Sequence, residues 1–394
     1  MQVRHRLRLW RLIFVIPAAL GLAPLALLTI WAETRAGRGA GVGALALLGG
    51  FIALAVSLVP RERPSPWAIV AAGLFVVGLV LFGVLANRPP LTHIHTTSVA
   101  GLRAFRVGEA CEVQNDRAEL IPEIDLVTLG ATLATRLAPP GSLVDRGRIR
   151  SQILREYREI AADPTARTVR SVIAPALAEL VGLRIDAGHY FAYVPASQPG
   201  ERLPAIVFLH GNGGNLKAMP WAWRTFAERN RIVVVCPTFG FGFWGEGAAE
   251  AVESVRLDAI ARLPIDPSRV MLGGLSDGGV GVTRVARFSP DRYQGLIYIS
   301  PTMNRKELAD PAFRTPWQGR PVLVLQGGRD ANVPKSTVDP AVALLLAQGV
   351  QVTYHVFAEE DHFLFFGRRE QVFYLIEEWL PNSFKRLPLD RGGQ

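Results

Sequence analysis

Residues 270–279 read Val-Met-Leu-Gly-Gly-Leu-Ser-Asp-Gly-Gly, an apolar run that ends in the pattern Gly-x-Ser-x-Gly. The run predicts a buried strand, and the residues that follow have the apolar spacing of a helix. A sharp turn from strand to helix crowds the residues beside its centre, and glycine relieves that crowding because it lacks a Cβ atom. The pattern therefore predicts that Ser276 stands out on a tight turn above a helix N-terminus. A glycine-rich turn with an incidental serine is the alternative.

Strands and helices alternate along the chain on both sides of this turn. The predicted strands are residues 189–194, 205–209, 232–236, 270–273, 295–299, 322–326 and 352–357. The predicted helices are residues 219–229, 248–263, 279–288, 340–348 and 369–380. Continuous Val, Ile and Leu runs are typical of parallel strands covered on both faces, so residues 189–394 are predicted to form a doubly wound, mostly parallel α/β sheet. Functional loops in such sheets follow the carboxyl ends of the strands.

Two of these loops carry the groups that a nucleophilic serine requires. A serine hydroxyl becomes a good nucleophile when a base removes its proton, and His362, after the last predicted strand, is the candidate base. Asp330 follows the preceding strand and is the candidate to orient the imidazole and stabilise its cation. Asp361 and Asp339 are alternatives for this role, although neither directly follows a strand. The alternative for His362 is a surface histidine beside three acids.

A glycine-rich loop after the strand 205–209 is a candidate oxyanion-binding site. Residues 210–215 read His-Gly-Asn-Gly-Gly-Asn, and glycines allow backbone N–H groups to turn toward a pocket. We expect the N–H groups of Asn212 and Gly213, together with that of Asp277 after the serine, to stabilise a developing oxyanion. His210 is expected to make structural hydrogen bonds rather than to take part in catalysis.

A loop rich in aromatic residues follows the strand 232–236, on the same sheet edge. Within residues 238–247 the candidate substrate-binding residues are Phe239, Phe241, Phe243 and Trp244. They would form an apolar wall for an acyl or aromatic group. The alternative, weighted equally, is that they only pack the loop against the domain. Residues 300–321 are too few for a large helical cap, so we expect an open cleft unless residues 88–188 cover it.

The segments HGNGGN, GLSDGG, GGRDANVP and EEDHF, in this order, resemble an α/β-hydrolase of the serine esterase and dienelactone-hydrolase-like group. The resemblance covers about residues 190–380. It implies hydrolysis of an ester, thioester or amide through an acyl-enzyme, without metal or cofactor, with Ser276, Asp330 and His362 as the catalytic triad. Our first hypothesis is a serine hydrolase acting on a small-molecule or lipid-like carboxylic ester. A peptidase or acyltransferase on the same triad, and a non-catalytic binding protein on the same fold, are the alternatives.

Three apolar segments precede this domain and predict a transmembrane anchor over residues 1–87. The segments are residues 12–32, 39–59 and 67–86. Each is close to the roughly 20 residues that a helix needs to cross a bilayer. Residues 1–11 and 60–66 together contain six arginines, and residues 33–38 contain two. The positive-inside rule then places the N-terminus in the cytoplasm and, after three crossings, the catalytic domain outside it. A cleaved signal peptide is the alternative for the first segment.

Residues 88–188 are polar and interrupted by prolines, and we interpret them as a partly helical linker region. Residues 145–162 are predicted to form a helix with one apolar face and one face rich in arginine. Such a helix suits either anionic lipid headgroups or the surface of a neighbouring domain. We favour packing against the domain that follows.

The composition excludes several classes of protein. Hydrophobic residues make up 49% of the chain, which is too many for a disordered protein. Two cysteines, Cys111 and Cys236, are too few for a disulfide framework or a four-cysteine zinc site. Much of the basic excess behind the net charge of +9 flanks the apolar segments, so it does not point to a nucleic-acid partner. The oligomeric state and the pairing of the two cysteines stay open.

Overall fold

The computed structural model describes residues 22–23, 25–57, 66–86, 100–109, 121–137, 146–169, 171, 188–381 and 384. The chain divides into two compact units. The first combines residues 1–92 with residues 115–138, and the second combines residues 93–114 with residues 139–394. The division differs from the predicted linker of residues 88–188, because part of that region belongs to the N-terminal unit.

The N-terminal unit consists of helices within the described residues. They are α1 (Leu28–Trp31), α2 (Arg35–Ser57), α3 (Pro66–Ala86) and α4 (Glu123–Leu137). Small residues bring α2 and α3 close together: a Cβ atom on Gly78 would lie 2.6 Å from Leu47 Cγ, and one on Gly50 would lie 3.3 Å from the Ala71 carbonyl oxygen. Close packing through small residues is typical of helix pairs in membranes.

One described helix, α2, is long and apolar enough over Arg35–Leu54 to cross a membrane. Helix α3 is apolar over the shorter range Ile69–Leu85. Both helices expose large apolar side chains, namely Val42, Leu45, Ile52, Leu54, Ile69, Val70, Val76, Val77, Leu79, Val80 and Val84. They correspond to the second and third predicted segments, whereas residues 12–32 lie mostly outside the described residues. Of the three predicted spans, one is therefore matched by a described helix that is long and apolar enough to cross a membrane.

Asp125 on α4 caps the start of α2. Its side chain is buried, and its carboxylate accepts hydrogen bonds from the N–H groups of Glu33 (2.7 Å) and Thr34 (3.1 Å) and from the Thr34 hydroxyl (2.6 Å). Donors at a helix N-terminus lack partners within the helix, and negative charge is favourable there. This carboxylate explains why α4, distant in sequence, packs with the N-terminal helices.

The second unit is built on an eight-stranded sheet with the order β1-β2-β4-β3-β5-β6-β7-β8. Its strands are β1 (Gly101–Arg106), β2 (His189–Val194), β3 (Leu203–Leu209), β4 (Val233–Pro237), β5 (Ile265–Leu275), β6 (Leu296–Ile299), β7 (Pro321–Gly327) and β8 (Gln351–Phe357). Strand β2 runs antiparallel to β1 and β4, and the remaining neighbours are parallel. The doubly wound, mostly parallel sheet is therefore confirmed.

The helices of this unit fall mainly between the strands. They are α5 (Arg146–Ala162), α6 (Ala218–Ala222), α7 (Arg224–Asn230), α8 (Ala248–Arg262), α9 (Gly278–Phe288), α10 (Arg305–Ala309), α11 (Pro311–Trp317), α12 (Lys335–Ala347), α13 (Leu364–Gly367) and α14 (Arg369–Trp379), with two 3₁₀ turns at Ala166–Thr168 and Pro290–Arg292. Every residue of β3 and β4 is buried, as expected for central strands covered on both faces. The carboxyl ends of β3, β5, β7 and β8 consequently share one edge of the sheet.

Several elements differ from the sequence prediction, among them the helices α4, α10, α11 and α13, which were not predicted. Strand β1 was not predicted either, because Arg103 and Arg106 interrupt its short apolar run, and its pairing with β2 identifies it as a strand. The helix predicted over residues 219–229 is divided at Trp223 into α6 and α7. Helix α12 begins at Lys335, before the predicted start at residue 340, and contains Pro340.

Candidate active site

Ser276 lies at the turn between β5 and α9, with a φ angle of +54°. A positive φ is uncommon for a residue with a side chain. The flanking glycines are required sterically: a Cβ atom on Gly274 would lie 2.6 Å from the Gly278 carbonyl, and one on Gly278 would collide with the Leu209 carbonyl oxygen. The Ser276 N–H donates to the Ile299 carbonyl (3.0 Å), so β6 holds the strained turn in place.

The structure brings the side chains of Ser276, His362 and Asp330 together. His362 Nε2 lies 2.9 Å from Ser276 Oγ, and His362 Nδ1 lies 2.8 Å from Asp330 Oδ2. A proton on Nδ1 satisfies both contacts, because Nδ1–H then donates to the carboxylate and Nε2 accepts from the hydroxyl. This arrangement allows the imidazole to take the serine proton while the carboxylate stabilises the resulting cation.

The Asp330 carboxylate is fixed by its own loop. The side chain is buried, and Oδ1 accepts hydrogen bonds from the N–H groups of Asn332 (2.9 Å) and Val333 (2.8 Å). Oδ2 is thereby left facing His362. The alternative acids are engaged elsewhere: Asp361 accepts from the N–H of Phe363, and Asp339 contacts Lys335 and Tyr354.

The glycine-rich loop after β3 lies beside the serine. A Cβ atom on Gly211 would come within 3.1 Å of Ser276 Cβ. The N–H of Gly213, which the sequence predicts as an oxyanion donor, donates to the Phe241 carbonyl (3.0 Å) and is therefore engaged in this structure. The reason is that Phe241 belongs to a loop whose approach the sequence does not reveal. Within the described residues, no backbone hydrogen bond engages the N–H of Asn212 or Asp277, and both groups stay candidate donors.

The aromatic loop packs its backbone directly on the candidate oxyanion loop. Gly242 has a φ angle of +104°, and a Cβ atom there would lie 2.5 Å from the Gly211 carbonyl oxygen. Trp244 is fully buried, and its Nε1–H donates to the His210 carbonyl at 2.9 Å. Of the two interpretations that the sequence left open for Trp244, its burial favours packing of the loop: the indole is part of the core and holds the neighbouring loop.

The three phenylalanines of this loop differ in exposure. The Phe239 ring is half-buried and stacks on Trp244, with 5.5 Å between the centroids. Phe241 is half-buried, and its ring lies 5.9 Å from that of Phe243, whose side chain is 62% exposed. Phe243 is therefore the most accessible candidate for a substrate contact, whereas Phe239 and Phe241 are both half-buried and Phe239 packs the loop through its stacking on Trp244.

Thr302 is a residue of this region that sequence reasoning missed. Its hydroxyl donates to Asp277 Oδ1 at 2.6 Å, while the Asn212 amide donates to Asp277 Oδ2. The Asp277 carboxylate thus ties the glycine-rich loop to the loop after β6. The position of Thr302 just after a predicted strand was the available signal, but its partner is recognisable only in three dimensions.

His210 is buried beneath the site as a neutral hydrogen-bonding group. Its Nδ1 lies 2.8 Å from the Gly211 carbonyl oxygen, and the Phe239 N–H donates to Nε2 at 3.4 Å. Burial lowers the pKa of His210 to about 4, and the hydrogen bond to the Gly211 carbonyl opposes this shift only in part. Both ring nitrogens are occupied, so His210 has a positioning rather than a catalytic geometry.

We expect His210 to make the fold sensitive to acid. Its pKa of about 4 lies below the ordinary value of 6.5, so the unfolded chain binds the proton first as the pH falls. The stability present above pH 6.5 should decrease by up to about 3 kcal/mol as the pH falls toward 4. Thermal unfolding of the full-length protein in detergent, followed by tryptophan fluorescence between pH 7 and 4.5, measures this loss. His210→Asn should flatten the pH dependence, whereas His355→Asn, at an exposed position, should leave it unchanged; an equal slope in both variants would contradict the assignment.

Cys236, near the end of β4, is a free, buried cysteine, and burial raises the pKa of its thiol. A protonated, inaccessible thiol is a poor nucleophile. Cys111 lies outside the described residues. Within the ranges that the structure describes, no group of three or more His, Cys, Asp or Glu side chains is arranged to hold a metal ion.

Residues 206–320 match the Alpha/beta hydrolase family. This domain has the α/β-hydrolase fold. The match includes Ser276, while Asp330 and His362 follow it in the hydrolase domain. No curated protein matches the chain.

The solved structures that match this chain have low sequence identity to it. A thermostable esterase is 20% identical with a TM-score of 0.40, and the match covers 48% of this chain and 58% of the esterase. Thermogutta terrifontis esterase 2 is 21% identical with a TM-score of 0.40, over 52% of this chain and 92% of that protein. Pyrococcus horikoshii acylaminoacyl peptidase is 15% identical with a TM-score of 0.40, over 52% of this chain and 41% of that protein.

Proposed function

We propose that the protein is a membrane-anchored serine hydrolase that cleaves carboxylic esters through an acyl-enzyme intermediate. The observation that carries the proposal is the continuous hydrogen-bond chain from Ser276 Oγ through His362 to Asp330. A nucleophile, a base and an orienting carboxylate in this geometry are what acyl transfer requires.

In the first step, Ser276 Oγ attacks the ester carbonyl carbon while its proton passes to His362 Nε2. The carbonyl π bond breaks, and its electron pair becomes the oxyanion of a tetrahedral intermediate. The N–H groups of Asn212 and Asp277 stabilise that charge, and each such donor typically contributes about 3 kcal/mol to transition-state stabilisation. When the carbonyl reforms, the bond to the alcohol oxygen breaks, and the alcohol leaves with the proton from His362.

In the second step, water takes the place of the alcohol. His362 removes a proton from the water as its oxygen attacks the acyl carbon of the Ser276 ester. The second tetrahedral intermediate collapses, the bond to Oγ breaks, and His362 returns the proton to the serine. A carboxylic acid is released and the free enzyme is restored, without any metal or cofactor in either step.

The membrane part of the proposal is supported by α2 and α3. Their exposed apolar side chains and close packing through small residues suit an acyl-chain environment. Together with the segment 12–32 they would form the three-span anchor that the sequence predicts. The arginine distribution then places the hydrolase domain outside the cytoplasm, where a small-molecule or lipid-like ester is its substrate.

One experiment tests both the reactive serine and the placement of the hydrolase domain outside the cytoplasm. Intact and lysed cells that express the full-length chain are treated with a membrane-impermeant fluorophosphonate, from which an activated serine displaces fluoride. We expect labelling in intact cells. Labelling only after lysis would contradict the extracytoplasmic placement, and no labelling in either sample would contradict the serine hydrolase.

The substrate class is tested with the purified full-length protein in detergent. Matched ester, amide and acyl-acceptor substrates with the same acyl group are compared. We expect kcat/KM to be highest for hydrolysis of the ester. Faster cleavage of the amide would favour a peptidase, and transfer to an added alcohol in preference to water would favour an acyltransferase.

A further inference from the structure

Glu360 lies two residues before His362 and forms ion pairs with two arginines. Its side chain is 7% exposed, and its carboxylate contacts Arg148 Nη2 at 3.0 Å and Arg368 Nε at 2.5 Å. Arg368 belongs to the same stretch of chain, whereas Arg148 lies on α5, well before the residues that match the hydrolase family. A side chain from outside that match therefore reaches the loop of the candidate base.

The backbone of Glu360 joins the histidine loop to the aspartate loop. Its carbonyl accepts a hydrogen bond from the Arg329 N–H at 2.9 Å, and Arg329 immediately precedes Asp330. The two loops also touch at Gly327, where a Cβ atom would lie 2.6 Å from the Glu360 carbonyl oxygen. A displacement of Glu360 would consequently move both His362 and its carboxylate partner relative to the serine.

Helix α5 also contacts the segment of chain that comes after His362. The Gln152 amide donates to the Phe366 carbonyl, and Glu156 pairs with Arg369 at 2.5 Å. Glu156 also pairs with Arg224 at 3.3 Å, which attaches the same helix to the region of α6 and α7. This packing agrees with the favoured sequence interpretation of residues 145–162 as a helix docked on the domain that follows.

The charge of Glu360 depends on these arginines. Burial alone would raise the pKa of its carboxyl, but the hydrogen bonds from Arg368 and Arg148 outweigh burial and lower it. A buried carboxylate that loses one of two charged partners is left poorly solvated, and the loop that carries it is expected to shift toward water. On a fully exposed surface the same ion pair would contribute little.

We propose that α5 positions the base of the hydrolase site, and that Arg148 is a positioning residue that holds the His362 loop through Glu360. The inference rests on the proposed function and assigns part of the region before the hydrolase fold to the catalytic unit. Arg148 does not touch the reacting atoms. It acts by keeping His362 Nε2 within hydrogen-bonding distance of Ser276 Oγ, a geometry in which a shift of about 1 Å is costly for the rate.

Two independent substitutions break the same contact. Arg148→Gln removes the charge, and Gly367→Ala places a Cβ atom where the Arg148 guanidinium lies, which forces that flexible side chain away from Glu360. We expect each to lower kcat about five- to tenfold. The KM is expected to change less than twofold, because no substrate contact is altered. The two effects should not add in the double variant, since both act on one ion pair.

The measurement uses the full-length protein and an activated ester, with active sites counted by fluorophosphonate titration. Counting sites separates a defect in positioning from a loss of folded protein. Arg148→Lys should recover at least half of the lost kcat, because a lysine keeps the charge. Arg158→Gln is the matched control: it removes an exposed arginine from the same helix and should leave kcat unchanged.

The possible outcomes distinguish this inference from the proposed function. If the wild type hydrolyses the ester and both variants keep wild-type kcat per titrated site, the positioning role is overturned and the hydrolase is retained. A decrease as large in Arg158→Gln as in Arg148→Gln would also overturn it, since it would show a general effect of charge. A wild type that neither turns over nor reacts with the probe would overturn both proposals.

Discussion

Replacing Ser276 with alanine is expected to lower kcat for ester hydrolysis by about 10⁶-fold. The substitution removes the oxygen that attacks the ester carbonyl in the first step of the proposed mechanism. It leaves the strained turn intact, because alanine has the same steric demands as serine at a φ of +54°. The folded protein should therefore persist with its thermal stability nearly unchanged.

The measurement compares kcat and fluorophosphonate labelling of the full-length wild type and variant. Ser254→Ala is the matched control, since it removes a hydroxyl from an exposed position on α8. Retention of more than about 1% of the wild-type kcat by Ser276→Ala would show that another group attacks the ester. Labelling of the variant at the wild-type rate would have the same meaning.

Replacing Asp330 with asparagine is expected to lower kcat by about 10⁴-fold. The asparagine amide would donate a hydrogen bond to His362 Nδ1, whereas the carboxylate accepts one there at 2.8 Å. The imidazole proton would then move to Nε2, which could no longer accept the proton of Ser276. The side-chain oxygen of asparagine can still accept from the N–H groups of Asn332 and Val333, so the loop should keep its conformation.

The control for this variant is Asp339→Asn, which removes a carboxylate that pairs with Lys335 away from the site. We expect this control to keep kcat within about twofold, in line with the small contribution of an exposed ion pair. A loss of less than tenfold in Asp330→Asn would contradict the role of Asp330. The double variant with Ser276→Ala should be no slower than Ser276→Ala alone, because the aspartate acts only through the serine.

Local chemistry explains how much of the site was accessible from the sequence. Gly274 and Gly278 flank Ser276 because the turn leaves no room for a Cβ atom, and that demand is visible as a pattern of adjacent residues. Asp330 and His362 follow predicted strands, and parallel strands bring their carboxyl ends to one edge. Their proximity to Ser276 could therefore be anticipated without coordinates.

Contacts between distant segments explain where the structure differs from the sequence predictions. The sequence left open whether Trp244 lines the substrate cleft or packs its loop, and in the structure its indole completes the core and holds the backbone of His210. The N–H of Gly213 was expected to face the oxyanion, but the Phe241 carbonyl approaches from another loop and accepts its hydrogen bond. Neither the apolar periodicity nor a motif indicates toward which of two facing loops a side chain or a backbone N–H turns.

The order of strands and helices and the position of the strained serine were determined by the sequence itself, because apolar periodicity and glycine sterics act between near neighbours. Which donors face the serine, and which arginine reaches the histidine loop, was decided only by the tertiary structure. Those contacts join side chains that are far apart along the chain. Arg148 and Glu360, for example, lie 3.0 Å apart in space. They depend on how whole elements pack, and the free energy of that packing is shared among many residues at once.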